Sequence, residues 1–284
     1  MVEIKQKDTG KVLATIDADN LVGADLSELN LQGADLRGLD MHGANFLHSD
    51  LSKADLSNAN LERVSMQGVR LYKANLREAN LTHANAGTTS PGERVILSGA
   101  DLTGAILDSA DLRKAELRDT NLEQTSLCNA DMRDADFHGS NMRQIKARHA
   151  LLIGANLSGA DLNEADFRNS HLNATNFKGA NLQGADLSTV DPGGFTILNL
   201  ANMEGTDLSN ANIRNIQAEN ADFRFANLSN ADLTGAVLGG SNLRRANVSN
   251  AEFNGVELAT VGMEYANFSQ AKNADIPSYK MHLR

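Results

Sequence analysis

A five-residue phrase recurs along almost the whole chain. Examples are Ala-Asp-Leu-Thr-Gly at 100–104, Ala-Asn-Leu-Ser-Gly at 155–159 and Ala-Asn-Leu-Gln-Gly at 180–184. Its central apolar residue, called position i here, falls on every fifth residue from 21 to 86, from 97 to 187 and from 198 to 268. Position i−2 is nearly always small. A repeat this short and this regular excludes most folds.

A period of five fits neither an α-helix nor an ordinary β-strand. Five residues turn about 500° around a helix axis, so successive repeats would drift by about 140°. In a strand, strict alternation would send every second central residue to the opposite face. The pattern instead predicts a very short extended segment with i−2 and i pointing inward and i−1 outward, followed by a corner at i+1 and i+2.

The corner residue at i+2 must tolerate positive φ or form local hydrogen bonds. Glycine and asparagine occupy this position in many repeats, including Gly104, Gly235, Asn58 and Asn210. Units of this size cannot bury their apolar side alone, so they must stack into a solenoid.

In its A(D/N)LXX phrase the chain resembles the pentapeptide-repeat family over about residues 20–270. The resemblance implies an all-β fold, a right-handed quadrilateral β-helix with four repeats in each coil and about 12 coils. Ladders of Leu and Phe, alternating with ladders of Ala, Ser and Thr, are then expected to fill the interior.

Both ends of the chain lack the repeat. In residues 1–19, apolar and polar side chains alternate on either side of a turn at Asp8-Thr9-Gly10. This pattern predicts an N-terminal β-hairpin that caps the exposed edge of the first coil. Residues 271–284 form a C-terminal tail, and we expect Ile276, Tyr279 and Met281 to cover the last coil.

Two interruptions of the repeat, at about 87–95 and 189–196, share a Pro-Gly phrase. Because proline cannot donate to a strand ladder, each interruption is predicted to be a loop outside the wall. Pro91 and Pro192 are 101 residues apart, which we count as twenty repeats plus one extra residue. Both loops are therefore predicted to leave the same face, about 24 Å apart. The candidate loop contacts for a partner are Pro91, Glu93, Arg94, Pro192 and Phe195; a duplication with neutral loops is the alternative.

One surface column in the last block combines aromatic residues with arginine. Residues twenty apart should stack, and exposed aromatics alternating with arginine match the composition of protein interfaces. Solvated charge with scattered aromatics is the alternative interpretation. The candidate protein-binding residues of this column are Arg224, Phe225, Arg244, Arg245, Glu264 and Tyr265.

The sequence predicts no enzyme, cofactor or metal site. His149 follows Cys128 by 21 residues, but no third orienting group accompanies them. Neither zinc-type ligand spacing nor a phosphate-binding glycine loop occurs. Cys128 is the only cysteine, so a reducing compartment is expected. Without an apolar signal region or a long apolar run, the expected location is cytoplasmic.

Three functions remain open. The chain carries 36 acidic against 26 basic residues, a net charge of −10 spread along its length, which disfavours direct nucleic-acid binding. The leading hypothesis is a non-enzymatic protein-binding or scaffolding solenoid that presents an acidic surface and two loops. The family resemblance implies an alternative, a DNA mimic that binds a type II topoisomerase such as gyrase and protects it from inhibitors. A purely structural or surface-adsorbing protein is the third, suggested by the polar column Ser209, Ser229, Ser249 and Ser269.

Overall fold

Each repeat contributes one very short strand, and strands twenty residues apart pair in parallel. Asp25 pairs with Asn45 in this way, and Asp207 pairs with Asn227. Twenty residues are four repeats, so each coil has four sides. This computed structural model, which describes residues 1–189 and 194–283, confirms the predicted all-β solenoid.

Longer elements are few in the described ranges. The chain divides into two compact units, Met1–Met142 and Arg143–Arg284. Strands β1 (Val2–Lys5) and β2 (Val12–Ile16) belong to the first unit, and two 3₁₀ helices cover Pro91–Glu93 and Ser278–Leu283. Among the described residues, no helix has the length and apolar character needed to cross a bilayer.

The corner at i+2 has left-handed backbone geometry, as the sequence predicts. The φ angle is 68° at Gly104 and 58° at Asn58. The residue at i−1 completes this corner from outside: a carboxylate oxygen of Asp55 accepts the backbone N–H of Ser57 at 3.2 Å. The same carboxylate oxygen accepts a bond from the amide of Asn75, twenty residues later, at 2.9 Å. Asp and Asn at i−1 therefore stabilise both the corner and the stacking of coils.

Side chains at i and i−2 fill the interior of each unit. Phe137 is fully buried in the first unit, and in the second Phe167 and Phe177 meet edge to face with ring centroids 6.4 Å apart. Buried hydroxyls at i−2 are also satisfied, since Thr125 donates to the carbonyl of Leu102 at 2.8 Å. Small polar residues thus fit at i−2 because the previous coil offers a carbonyl there.

The predicted N-terminal hairpin is confirmed. Strands β1 and β2 pair antiparallel, and Gln6 just after β1 bridges to Ala34 in a coil. The ammonium of Lys7 donates to the carboxylate of Asp55 at 2.7 Å, and the Asp55 side chain is only 6% exposed. The hairpin is thereby attached to the coils by both backbone and charge.

The C-terminal tail contacts the last coil through side-chain donors. Ile276 is buried, and the hydroxyl of Tyr279 donates to the carbonyl of Ala259 at 3.1 Å. The side chain of Met281 lies outside the described part of the structure. The ammonium of Lys280 donates to two further carbonyls, those of Leu258 and Val261. Through these donors the tail satisfies backbone carbonyls of the coil that it contacts.

The count behind the same-face prediction for the two loops is wrong. Bridges join Arg70 to Ile96 and His171 to Ile197, pairs that are 26 rather than 20 positions apart. Each loop-bearing coil therefore holds six extra residues, not one. A repeat of five cannot distinguish one extra residue from six, which explains the error. Without that count, the prediction that both loops leave one face has no support.

Replacing Lys7 by methionine should loosen the hairpin. The substitution leaves the nearly buried carboxylate of Asp55 without its cation, a loss of about 1.5–3 kcal/mol for a hydrogen bond to a charged group. Amide hydrogen exchange in β1 and β2 should accelerate accordingly. Lys5→Met is the matched control, because Lys5 pairs with Glu3 at an exposed site and should cost about 0–1 kcal/mol. Equal effects of the two substitutions would contradict this account of the hairpin.

Candidate protein-binding surface

Three bulky residues occupy corner positions where glycine or asparagine is usual. Phe225, Arg245 and Tyr265 stand at i+2 of three successive coils in the second unit, with φ angles of 60°, 59° and 61°. Bulky side chains are uncommon in this region of backbone space because their Cβ crowds the chain. Arg63, Lys73 and His83 have the same left-handed geometry at other corners, so it is the combination of two aromatic rings with an arginine that makes the three positions a candidate site.

The guanidinium of Arg245 lies between two aromatic rings. Its central carbon is 5.6 Å from the ring centroid of Phe225 and 5.8 Å from that of Tyr265. The rings remain accessible, since Phe225 is 50% and Tyr265 is 65% exposed. Each cation–π contact contributes about 0.5–1 kcal/mol at an exposed site. We call these three residues the Arg245 stack; it is a preformed, partly apolar surface.

Charged residues at i+1 border the Arg245 stack. Arg224 donates to both Asp222, at 2.6 Å, and Glu204, at 3.2 Å, which holds its side chain in place. Arg244 is exposed and Glu264 is half-buried, and neither forms an ion pair within the described ranges. Arg224 is therefore held in place beside the rings, whereas the charges of Arg244 and Glu264 are available to a partner.

The hydrogen bond from Arg224 holds the pKa of Asp222 below its usual value, although partial burial opposes the shift. Asp166, on another side of the same unit, has the opposite shift. Burial raises the pKa of Asp166 above its usual value and outweighs its hydrogen bond from Arg148.

Leu200 adds an apolar contact that sequence reasoning missed. It also stands at i+2, with a φ of 62°, and it is 65% exposed. The bridge from Asn202 to Asp222 places the segment after Leu200 and the segment before Phe225 on one side of the coil. Leu200 and the Arg245 stack thus lie at the two corners that bound this side. A leucine at a position typical of glycine was the available signal.

The described loop candidates are divided between the two units: Pro91, Glu93 and Arg94 lie in the first unit and Phe195 lies in the second. Pro91 begins the 3₁₀ helix of the first loop, where Glu93 and Arg94 are exposed and the Glu93 carbonyl accepts the N–H of Gly68. That loop belongs to the first unit. In the second loop, Phe195 is exposed.

Pro192 lies outside the described residues. A role for either loop therefore stays a prediction.

Acidic side chains do not converge on one wall. In the second unit they occur on all four sides, for example at Asp161, Asp166, Asp222 and Glu257. Many aspartates at i−1 are also neutralised by arginine two residues later. The ion pairs of this kind include Asp35–Arg37, Asp111–Arg113, Asp131–Arg133, Asp166–Arg168 and Asp222–Arg224. In the second unit the described acidic side chains are therefore spread over the four sides instead of being gathered on one.

The polar serine column is accounted for by corner hydrogen bonds. The backbone N–H groups of Ser229 and Ser249 donate to Asn227 and Asn247, both at 3.2 Å. The amide of Asn247 donates in turn to Asn227 at 3.1 Å. These side chains stabilise the wall itself. Among the described residues, no group of three or more His, Cys, Asp or Glu side chains is arranged to hold a metal ion.

Comparison with known proteins identifies the repeat. The family model described as pentapeptide repeats matches residues 20–58, 54–86, 93–124, 105–144, 150–188, 195–224 and 221–258. No curated protein matches the chain.

The solved structures that are similar to parts of this chain include those of QnrB1 and HetL. A trypsin-treated form of QnrB1, a plasmid-mediated fluoroquinolone resistance protein, is 20% identical over 63% of this chain and 86% of its own, with a TM-score of 0.44. HetL, a pentapeptide repeat protein involved in heterocyst differentiation regulation from the cyanobacterium Nostoc sp. strain PCC 7120, is 25% identical. That match covers 79% of this chain and 87% of HetL, with a TM-score of 0.27.

Asp222→Asn should lower the stability of the protein in a pH-dependent way. A carboxyl whose pKa is lowered by folding stabilises the native state above its unfolded pKa, and this contribution is lost as the pH falls through the folded value. The difference in unfolding free energy between the natural protein and Asp222→Asn should therefore shrink below about pH 4.

Asp166→Asn provides a comparison of opposite sign. Because folding raises the pKa of Asp166, its protonation favours the native state, and the stability of the natural protein relative to Asp166→Asn should rise as the pH falls. Denaturant unfolding from pH 7 to pH 3 measures both trends. Parallel trends for the two variants would show that these electrostatic assignments are wrong.

Proposed function

Because the chain belongs to the pentapeptide-repeat family, we propose that it acts without catalysis, as a rigid surface that binds another protein. The contact surface is the Arg245 stack together with Leu200 and Arg244. The loop residues Pro91, Glu93, Arg94, Pro192 and Phe195 are additional contacts in this proposal. The cytoplasm, where the single cysteine stays reduced, is the proposed location.

The observation that carries this proposal is the exposed sandwich of Arg245 between two aromatic rings. Tyrosine and arginine are enriched among the residues that contribute most to protein interfaces. Side chains that already hold each other lose little conformational freedom when a partner binds. The rings of Phe225 and Tyr265 are also too exposed to be explained by packing of the coil.

The charges beside the stack indicate the chemistry of the partner. Arg244 is exposed and forms no ion pair with a described residue, so it can bind a carboxylate of the partner. The two rings and Leu200 offer apolar contacts on either border of the same side. A partner segment with an apolar side chain next to an acidic one fits this arrangement.

Mimicry of DNA toward a type II topoisomerase such as gyrase is the second candidate function. The net charge of −10 favours it. The distribution of the acidic residues over all sides and their pairing with arginine favour the first proposal instead. The two candidates predict different contact residues, because the Arg245 stack has no counterpart in a DNA surface.

A photo-crosslinking amino acid placed at position 244, which removes the charge of Arg244 but keeps the Arg245 stack and Leu200, tests the main proposal. In a lysate of the source organism, this variant should give a discrete crosslinked protein of defined mass. The double substitution Phe225→Ala and Tyr265→Ala should reduce the yield at least about ten-fold, the effect of losing roughly 1.4 kcal/mol. Mass spectrometry of the product identifies the partner and shows whether it is a topoisomerase.

The matched control carries the same crosslinker at position 254. Asn254 is exposed and lies on the opposite side of the coil. Products that are equally abundant from positions 244 and 254, or that persist in the double variant, would rule out the Arg245 stack as the binding surface.

A further inference from the structure

Among the described residues of the second unit, the backbone hydrogen bonds between parallel strands of adjacent coils are interrupted at one place. The N–H of Leu243 donates to the carbonyl of Gly262 at 2.6 Å, as expected for adjacent coils. Five residues earlier, the N–H of Leu238 should reach the carbonyl of Glu257 in the same way. Among the described residues, neither this hydrogen bond nor a bridge between Val237 and Glu257 is formed. The two coils are therefore separated here.

A cleft with a volume of about 410 Å³ occupies this opening. Gly235, Gly239 and Gly255 line the cleft without adding side chains to its walls. Val237, which is 48% exposed, forms part of its floor. At the edge of the cleft, the N–H of Gly240 donates to the hydroxyl of Thr260 at 3.1 Å rather than to a backbone carbonyl.

Two carboxylates stand beside the cleft. A Cβ atom built on Gly239 would lie 3.8 Å from Oε1 of Glu219, so this carboxylate reaches over the cleft. Glu257 lines it as well. Both side chains are exposed, and neither forms an ion pair with a described residue. The carbonyls of Ala236 and Glu257, which the open ladder leaves without a strand donor, add further acceptors.

These features favour a cation with an aliphatic stem. Such a side chain places its methylene groups on an apolar floor and its charged end in a polar surround. Arginine fits better than lysine because its planar group has five N–H donors in a fixed geometry for carboxylate and carbonyl oxygens.

We propose that this cleft binds an arginine side chain of the partner protein. The methylene groups lie against Val237, and the guanidinium lies between the carboxylates of Glu219 and Glu257. The inference rests on the proposed protein-binding function, and it adds a specificity site on a different side of the coil from the Arg245 stack.

Titration of the full chain with the peptide acetyl-Ala-Arg-Ala-amide, followed by NMR, tests the inference. The backbone amides of Gly235, Val237 and Gly239 should shift in a saturable way. The peptide in which neutral citrulline replaces arginine should bind at least ten-fold more weakly, and so should the arginine peptide to Glu219→Gln combined with Glu257→Gln.

A blocking variant separates shape from charge. Gly239 does not have a left-handed φ, and nearest atoms at 3.8 and 3.9 Å leave room for a side chain, so Gly239→Leu should fold and fill the cleft. It should abolish the shifts. Gly92→Leu is the control, because no atom lies within 4 Å of the added Cβ, and it should bind normally.

Equal binding of the arginine and citrulline peptides, or unchanged binding by Gly239→Leu, would overturn the inference. Crosslinking from position 244 reports on the Arg245 stack independently. A crosslink that persists while the peptide fails to bind would refute the arginine cleft alone, whereas the reverse result would refute only the proposed role of the stack.

Discussion

The left-handed corner residue is the constraint on which the rest of this structure depends. It turns the chain after every short strand and resets the alternation, so that i−2 and i point inward on every side. Asp or Asn at i−1 supports the corner by accepting the N–H of i+1, as Asp55 does from Ser57. Without this turn, five residues could not repeat with a constant inside and outside.

The same constraint determines what the surface can do. Interior positions must be apolar or small, whereas i+1 and i+2 are free to vary at the cost of about 1–2 kcal/mol for a side chain in the left-handed region. Because coils repeat every twenty residues, residues far apart in the sequence, such as Phe225, Arg245 and Tyr265, come into contact. The backbone has the same corner geometry at all three positions. Function in such a protein is therefore expected in columns and openings of the wall.

Much of this could be predicted from the sequence. The five-residue period predicts the coil and the corner, and the alternation around Asp8-Thr9-Gly10 predicts the hairpin, because all three depend on local geometry. The spacing of twenty also brings Phe225, Arg245 and Tyr265 into one column. The count of residues between the two loops was wrong because an insertion of six residues shifts a five-residue repeat by the same amount as an insertion of one. The cleft beside Val237 was also out of reach, since it depends on a missing hydrogen bond between coils rather than on a residue pattern.

The most direct test of the central claim is an NMR measurement of short proton distances in the free protein. If the coil presents the Arg245 stack as a preformed surface, the side-chain protons of Arg245 will show nuclear Overhauser contacts to the rings of both Phe225 and Tyr265. Contacts to only one ring, or to neither, would contradict the account, because the stack would then not exist before a partner binds.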